Sequence, residues 1–126
     1  MKLTKELLED VMVTALEGGI GYWACLLNDT PEWEEYDEKF PDEPTSVIAA
    51  YMLWDGKNIS FEHDYDETTD KPVVCSINLK DLERACDQFK RVYHQTVQER
   101  FDNSEFDSDD ADVIIQFACF GEVVYG

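Results

Sequence analysis

Asp109-Asp110-Ala111-Asp112-Val113-Ile114-Ile115-Gln116-Phe117-Ala118-Cys119-Phe120-Gly121 is the one run in this acidic chain that is apolar on every side. Acids at its start suit the positive end of a helix, and a glycine at its end suits a C-terminal cap, so the run predicts a short buried helix. The remaining segments are read as packing around it. Downstream, Glu122-Val123-Val124-Tyr125-Gly126 is β-prone and predicts either an edge strand or a segment that closes over the core.

Upstream, Phe101 to Asp112 carries Asp102, Glu105, Asp107, Asp109, Asp110 and Asp112 with no base. Before it lies the longest helical pattern, Leu79 to Arg100, with Asn78 as N-cap and Leu82, Ala85, Cys86, Phe89, Val92, Tyr93 and Val97 along one side. Lys80, Arg84, Lys90, Arg91 and Arg100 are interspersed there with Asp81, Glu83, Asp87 and Glu99. That mixture argues against a nucleic-acid-binding helix and predicts pairing of these bases with neighbouring acids.

In the middle of the chain, Ser46 to Trp54 and Asn58 to His63 flank Asp55-Gly56-Lys57, a hairpin signal that predicts two antiparallel strands. In the second, Ile59, Phe61, His63 and Tyr65 are expected on the core face. Asp64 to Pro72 reads as an acidic turn and Val73 to Ile77 as a further strand. Towards the N-terminus, Thr4 caps a helix whose apolar residues Leu7, Leu8, Val11, Met12, Ala15 and Leu16 end at Gly18-Gly19. Tyr22 to Leu27 is expected as a buried first strand or an extended continuation of that helix. Asp29 to Glu43 is an acidic surface loop, punctuated by Pro31 and Pro41. Within it, Trp33, Tyr36 and Phe40 have the spacing of a short amphipathic turn pinned by its rings. These elements predict an α+β fold in one domain over residues 1–126. An antiparallel sheet of three or four strands is packed with an N-terminal helix, a long helix and a short buried C-terminal helix.

The chain has 126 residues, enough to bury a core without covalent staples. Twenty-nine Asp and Glu against ten Lys and Arg give a formal net charge of -19, yet 44% of residues are hydrophobic, unlike a disordered acidic tail. Such a field repels nucleic acid and anionic membranes and attracts basic partners. Cys25, Cys75, Cys86 and Cys119 lie in apolar patterns without paired CxxC spacing and predict buried free thiols. With no run near the ~20 apolar residues of a membrane span, this predicts a soluble, unprocessed, cytoplasmic protein.

Catalytic chemistry finds little support. His63 and His94 lack metal-ligand spacing and read as structural, and the glycines at 18, 19 and 21 match no phosphate-binding loop. Asp107 to Asp112 falls short of a calcium loop, because Ala111 stands at a ligand position and the central glycine is missing. The expectation is therefore a non-enzyme with no cofactor and no metal. The acids as a set form the candidate surface: Glu32, Glu34, Glu35, Asp37 and Glu38; Asp64, Asp66 and Glu67; and Asp102, Glu105, Asp107 and Asp109. Duplex DNA carries about one charge per 1.7 Å of axis, so a compact carboxylate-studded protein can occupy a groove built for nucleic acid. Acidity that serves solubility alone is the competing reading.

Two motifs, Thr14-Ala15-Leu16-Glu17-Gly18-Gly19-Ile20-Gly21-Tyr22-Trp23 and the C-terminal stretch from Asp110 to Gly126, resemble a pair of signatures in small uncharacterised acidic proteins of bacteriophages and mobile elements. That group has no assigned activity, so the resemblance transfers no catalytic residue. It implies a setting in which acidic proteins of this size inhibit restriction enzymes and CRISPR effectors. The expected function is thus an inhibitor that mimics DNA and binds the basic groove of a host nucleic-acid-binding protein, a nuclease or CRISPR effector, without touching nucleic acid or membrane. A phage structural or assembly protein is the alternative, as is a small-ligand binder using Tyr22, Trp23, Trp54 and Tyr93. The two motifs also predict that Gly18, Gly19 and Gly21 let the chain pass close to the C-terminal helix, with Tyr22, Trp23, Phe117 and Phe120 filling the space around them.

Overall fold

The computed structural model describes residues 1–126. Its elements run α1 (Lys5–Thr14), a π-helical turn (Ala15–Gly19), β1 (Cys25–Leu26), α2 (Pro31–Lys39) and α3 (Thr45–Trp54). They continue with β2 (Ile59–Asp66), β3 (Lys71–Ile77), α4 (Leu79–Tyr93), α5 (Val97–Asp102) and α6 (Ser108–Phe120). The fold is α+β, with a three-stranded antiparallel sheet in the order β1-β2-β3. One cluster of 28 buried residues forms the core, drawn from every helix and all but the shortest strand.

Helix α6 is the predicted buried helix. Ala111, Asp112, Ile114, Ile115, Gln116, Phe117 and Ala118 are buried, leaving little of it facing water. Its ends are closed as the residue types require. Asp107 and Asp110 form a reciprocal capping box, and Gly121 takes the left-handed conformation (φ 74°) with its N–H on the Phe117 carbonyl. The helix packs on α4, the π turn, α1 and β3.

Helix α1 starts at Thr4, whose hydroxyl oxygen accepts the Leu7 N–H at 3.1 Å. At its end the helix widens, the Ile20 N–H reaching back five residues to the Ala15 carbonyl. This turn carries Gly19 against the start of α6, where a Cβ would lie 2.9 Å from the Ser108 carbonyl oxygen. The expected close approach is therefore real at Gly19, while Gly21 has open space around it. Of the four aromatic residues assigned to that junction, Trp23 and Phe117 are buried, Phe120 packs on Trp23 and Tyr22 is mostly exposed.

Ser46 to Trp54 is helix α3, not a strand. The segment is buried on nearly every side, which removes the periodicity that separates a helix from a buried strand, and Ala49, Ala50, Met52 and Leu53 favour the helix. Asp55-Gly56-Lys57 is accordingly a helix C-cap. The Gly56 N–H bonds the Leu53 carbonyl at 3.1 Å and the Lys57 N–H bonds the Met52 carbonyl at 2.9 Å, with Gly56 at φ 85°. A hairpin turn and this cap both need a residue tolerant of positive φ, so the same tripeptide signals either.

The hairpin of this protein joins β2 to β3 instead. The expected turn from Asp64 to Pro72 narrows to Glu67–Asp70, with Asp64 and Asp66 inside β2. A bulge at His63 separates the Glu62–Val74 and Asp64–Val73 pairs, and one inserted residue moves every later side chain to the opposite face. Ile59 and Phe61 therefore enter the core as expected, whereas Tyr65 is exposed. The first strand shrinks to Cys25–Leu26, and the C-terminal residues add no strand.

The long helix ends at Tyr93 rather than Arg100. His94 is left-handed (φ 58°), and Thr96 opens α5 by accepting the Glu99 N–H at 3.0 Å. Thr96-Val97-Gln98-Glu99 is a capping sequence inside an apolar pattern that continues through it, and the local cap prevails. Val92 and Tyr93 are consequently exposed while Val97 is buried. Gly19→Ala should lower unfolding stability by about 1–3 kcal/mol in urea titrations, because the atoms that the new Cβ meets are backbone and cannot swing aside. Gly21→Ala should stay within about 1 kcal/mol of the parent.

Candidate functional site

The Asp29–Glu43 stretch is built around a helix rather than a loop. Thr30 caps α2, Pro31 occupies its first turn, and Glu32 and Glu34 lie near its positive end. Trp33 and Tyr36 are buried, and the Tyr36 hydroxyl donates to Asp55 Oδ2 at 2.7 Å. Burial, then that bond, pushes the Tyr36 hydroxyl up to about 12. Phe40 packs on Tyr51 at 4.9 Å, so the rings pin the helix as expected. Its outer face presents Glu34, Glu35, Asp37 and Glu38, all exposed and without a hydrogen bond or ion pair from their side chains. Glu32 differs, lying 3.7 Å from Lys57.

The other predicted acids divide between local structural work and free display. Asp64 Oδ1 accepts its neighbour's Tyr65 N–H, and Asp66 Oδ1 accepts the Thr68 N–H in the hairpin turn. Asp102 accepts from Gln98, Glu105 meets Arg100 at 3.5 Å, and Asp107 is the cap of α6. Glu67 and Asp109 are exposed without such a partner. No hydrogen bond or ion pair joins the three acidic stretches to one another. Only Lys57, Arg84, Arg100 and the N-terminal ammonium make ion pairs. Lys80, Lys90 and Arg91, expected to pair, do not.

Sequence reasoning missed a fourth acidic place and a buried polar centre. Glu6 and Asp10 of α1 face Asp102 across a cleft of about 260 Å³, where burial and then Glu6 raise the Asp10 carboxyl. The polar centre is Asp112, 8% exposed inside the apolar helix. Its carboxylate accepts the Tyr22 hydroxyl at 2.5 Å, the Trp23 indole N–H at 2.7 Å and the Gln116 amide at 2.9 Å. Gln116 in turn accepts the Val124 and Tyr125 N–H groups at 2.7 and 2.8 Å and donates to the Tyr125 carbonyl. Tyr125 stacks on Trp23 at 5.1 Å, and its hydroxyl meets His63 Nδ1 at 2.8 Å. The C-terminal segment thus closes over the core. Asp112 and Gln116, four residues apart in an otherwise apolar run, were the legible signal.

His63 is half-buried among Trp23, Phe120 and Tyr125, whose hydroxyl it meets, and His94 ends a helix. The thiols are free, but only Cys86 is buried, its thiol pushed up to about 12 by burial. Cys25 is exposed, because the strand holding it is an edge two residues long. Cys75 and Cys119 are half-buried, and their interaction with each other lowers the Cys75 thiol and raises that of Cys119. Tyr22, Trp54 and Tyr93 are exposed at separate places rather than lining one closed pocket with Trp23. No three His, Cys, Asp or Glu side chains converge as a metal-holding set, and no helix is long and apolar enough to cross a membrane.

Burial and then the bond to Asp112 push the Tyr22 hydroxyl from 10.0 up to about 12, although its ring is 60% exposed. With Tyr36 shifted the same way, the unfolded chain releases these protons first as pH rises. Their contribution to stability is whole below pH 10 and declines towards pH 12. Melting temperatures across this range should fall less steeply for Tyr22→Phe and Tyr36→Phe than for the parent.

Compared with known proteins, the chain matches no family model, no curated protein and no solved structure.

Proposed function

We propose that this protein is a non-enzymatic inhibitor of phage or mobile-element type that binds the basic nucleic-acid groove of a host defence protein by imitating DNA. The outer face of α2 carries the reading. Glu34, Glu35, Asp37 and Glu38 place four unpartnered carboxylates along roughly 6 Å of helix axis and within an arc of about 160°. Duplex DNA presents about one charge per 1.7 Å, so the linear density is comparable. Trp33 and Tyr36 hold the helix from beneath, so little ordering is needed when a partner docks.

A net charge of -19 adds long-range attraction to a basic surface and makes the association fast and salt-sensitive. Glu67 and Asp109 supply further free carboxylates beside the patches at Asp64–Asp66 and Asp102–Asp107. The resemblance of the two terminal motifs to phage and mobile-element proteins supports a host nuclease or CRISPR effector as the partner class.

Competition assays with DNA-bound nucleases at rising salt test this reading. The parent should displace DNA at low ionic strength and lose potency as salt increases. Combining Glu34→Gln, Glu35→Gln, Asp37→Asn and Glu38→Gln should weaken displacement about ten- to a hundredfold without unfolding the protein, from the modest contribution of each exposed pair. Absence of displacement even at low salt would end the proposal.

A further inference from the structure

The turn between the π helix and β1 forms the shared wall of two clefts. On one side, a cleft of about 350 Å³ has an apolar lining of Leu16, Ile20, Ala24 and Leu26, with Glu17 at its rim. On the other, an open cleft of about 480 Å³ is bordered by Trp23, Glu62, Asp64 and Tyr65. Gly21 and Ala24 line both. No lysine or arginine lines either cleft, and none of Glu17, Glu62 and Asp64 is in an ion pair. The one imidazole present, His63, is engaged with the Tyr125 hydroxyl.

Glu17 differs from the freely displayed acids in being aimed. The hydroxyl of Ser46, itself buried, donates to Glu17 Oε2 at 2.6 Å and leaves the other carboxylate oxygen available. An apolar trough ending in an oriented carboxylate suits a side chain with an alkyl stem and a cationic head. The second cleft offers two carboxylates beside the exposed Tyr65 ring, which suits a cation again.

Resting on the reading that the partner is basic, we propose that these paired clefts are a docking groove for an extended segment of that partner, taking one lysine or arginine side chain on each side of Gly21 and Ala24. Residues two apart on an extended strand point the same way about 7 Å apart, so two side chains of one strand can straddle the wall that Gly21 and Ala24 form. Charge complementarity selects this occupant over a neutral apolar one, since the groove's ionisable rim is anionic and the whole chain carries -19. The glycine-rich motif then has a second use. Gly19 permits the approach to α6, and Gly21 keeps the groove open.

The test is an amide NMR titration of the full chain at low salt with the capped peptide acetyl-Lys-Gly-Lys-amide, using the same peptide with norleucine for lysine as the neutral control. Saturable shifts are expected at Leu16, Ala24, Leu26 and Glu62, with the norleucine peptide silent. Glu17→Gln keeps an acceptor for Ser46 but removes the charge, and should weaken binding about two- to fivefold. Gly21→Leu places its side chain where no atom lies within 4 Å of the new Cβ, and should block both clefts without disturbing the core. Equal shifts with the norleucine peptide, or shifts spread over Glu34–Glu38 and insensitive to Glu17→Gln, would overturn the groove. Localised peptide binding without any DNA displacement would retain the groove and remove the inhibitor reading; displacement without localised binding would do the reverse.

Discussion

The buried carboxylate of Asp112 is the interaction on which the two ends of this chain depend. Three donors from Tyr22, Trp23 and Gln116 converge on it, replacing water at a charge that an apolar helix would otherwise exclude. Gln116 extends the same bonds to the backbone of Val124 and Tyr125. Because no buried side-chain polar atom lacks a partner, the network is complete, and a complete network orients its members as a half-satisfied one cannot. The turn after α1, helix α6 and the C-terminal tail are therefore one unit. Trp23 serves it twice, donating to Asp112 and stacking under Tyr125.

That unit positions the surfaces proposed for binding. With the π turn seated on α6 through Gly19, the following residues are held where Gly21 and Ala24 separate two clefts. The same core receives Trp33 and Tyr36 and so fixes the carboxylate face of α2. Burial at one end of a side chain or helix and display at the other is how a chain with so many acids avoids being disordered. Its apolar residues are concentrated into one core cluster, while most of its acids stay in contact with water.

Much of the candidate surface was legible because acids in turns and at helix starts face water whatever the tertiary arrangement. Their division into roles was less so. Asp107 as a cap, Asp66 in a turn and Glu105 beside Arg100 look no different in sequence from Glu35 or Glu38. Only the partner within hydrogen-bonding distance separates a structural carboxylate from a free one. The groove about Gly21 was illegible for a related reason: Leu16, Leu26 and Ser46 are distant in sequence and meet only through packing.

By itself the sequence determined the helix ends that carry their own chemistry: α1 from Thr4, α4 from Asn78 and α6 up to Gly121. Caps and periodicity are local, involving residues within a few positions, so they are readable without the fold. Tertiary structure decided the rest. Ser46 to Trp54 was illegible as a helix because burial on nearly all sides hides the period that would reveal it. Tyr65 turned outward because the bulge at His63 shifts the register by one residue. Asp112 could remain in an apolar helix because Tyr22 and Trp23, some ninety residues earlier, supply the donors that its burial demands.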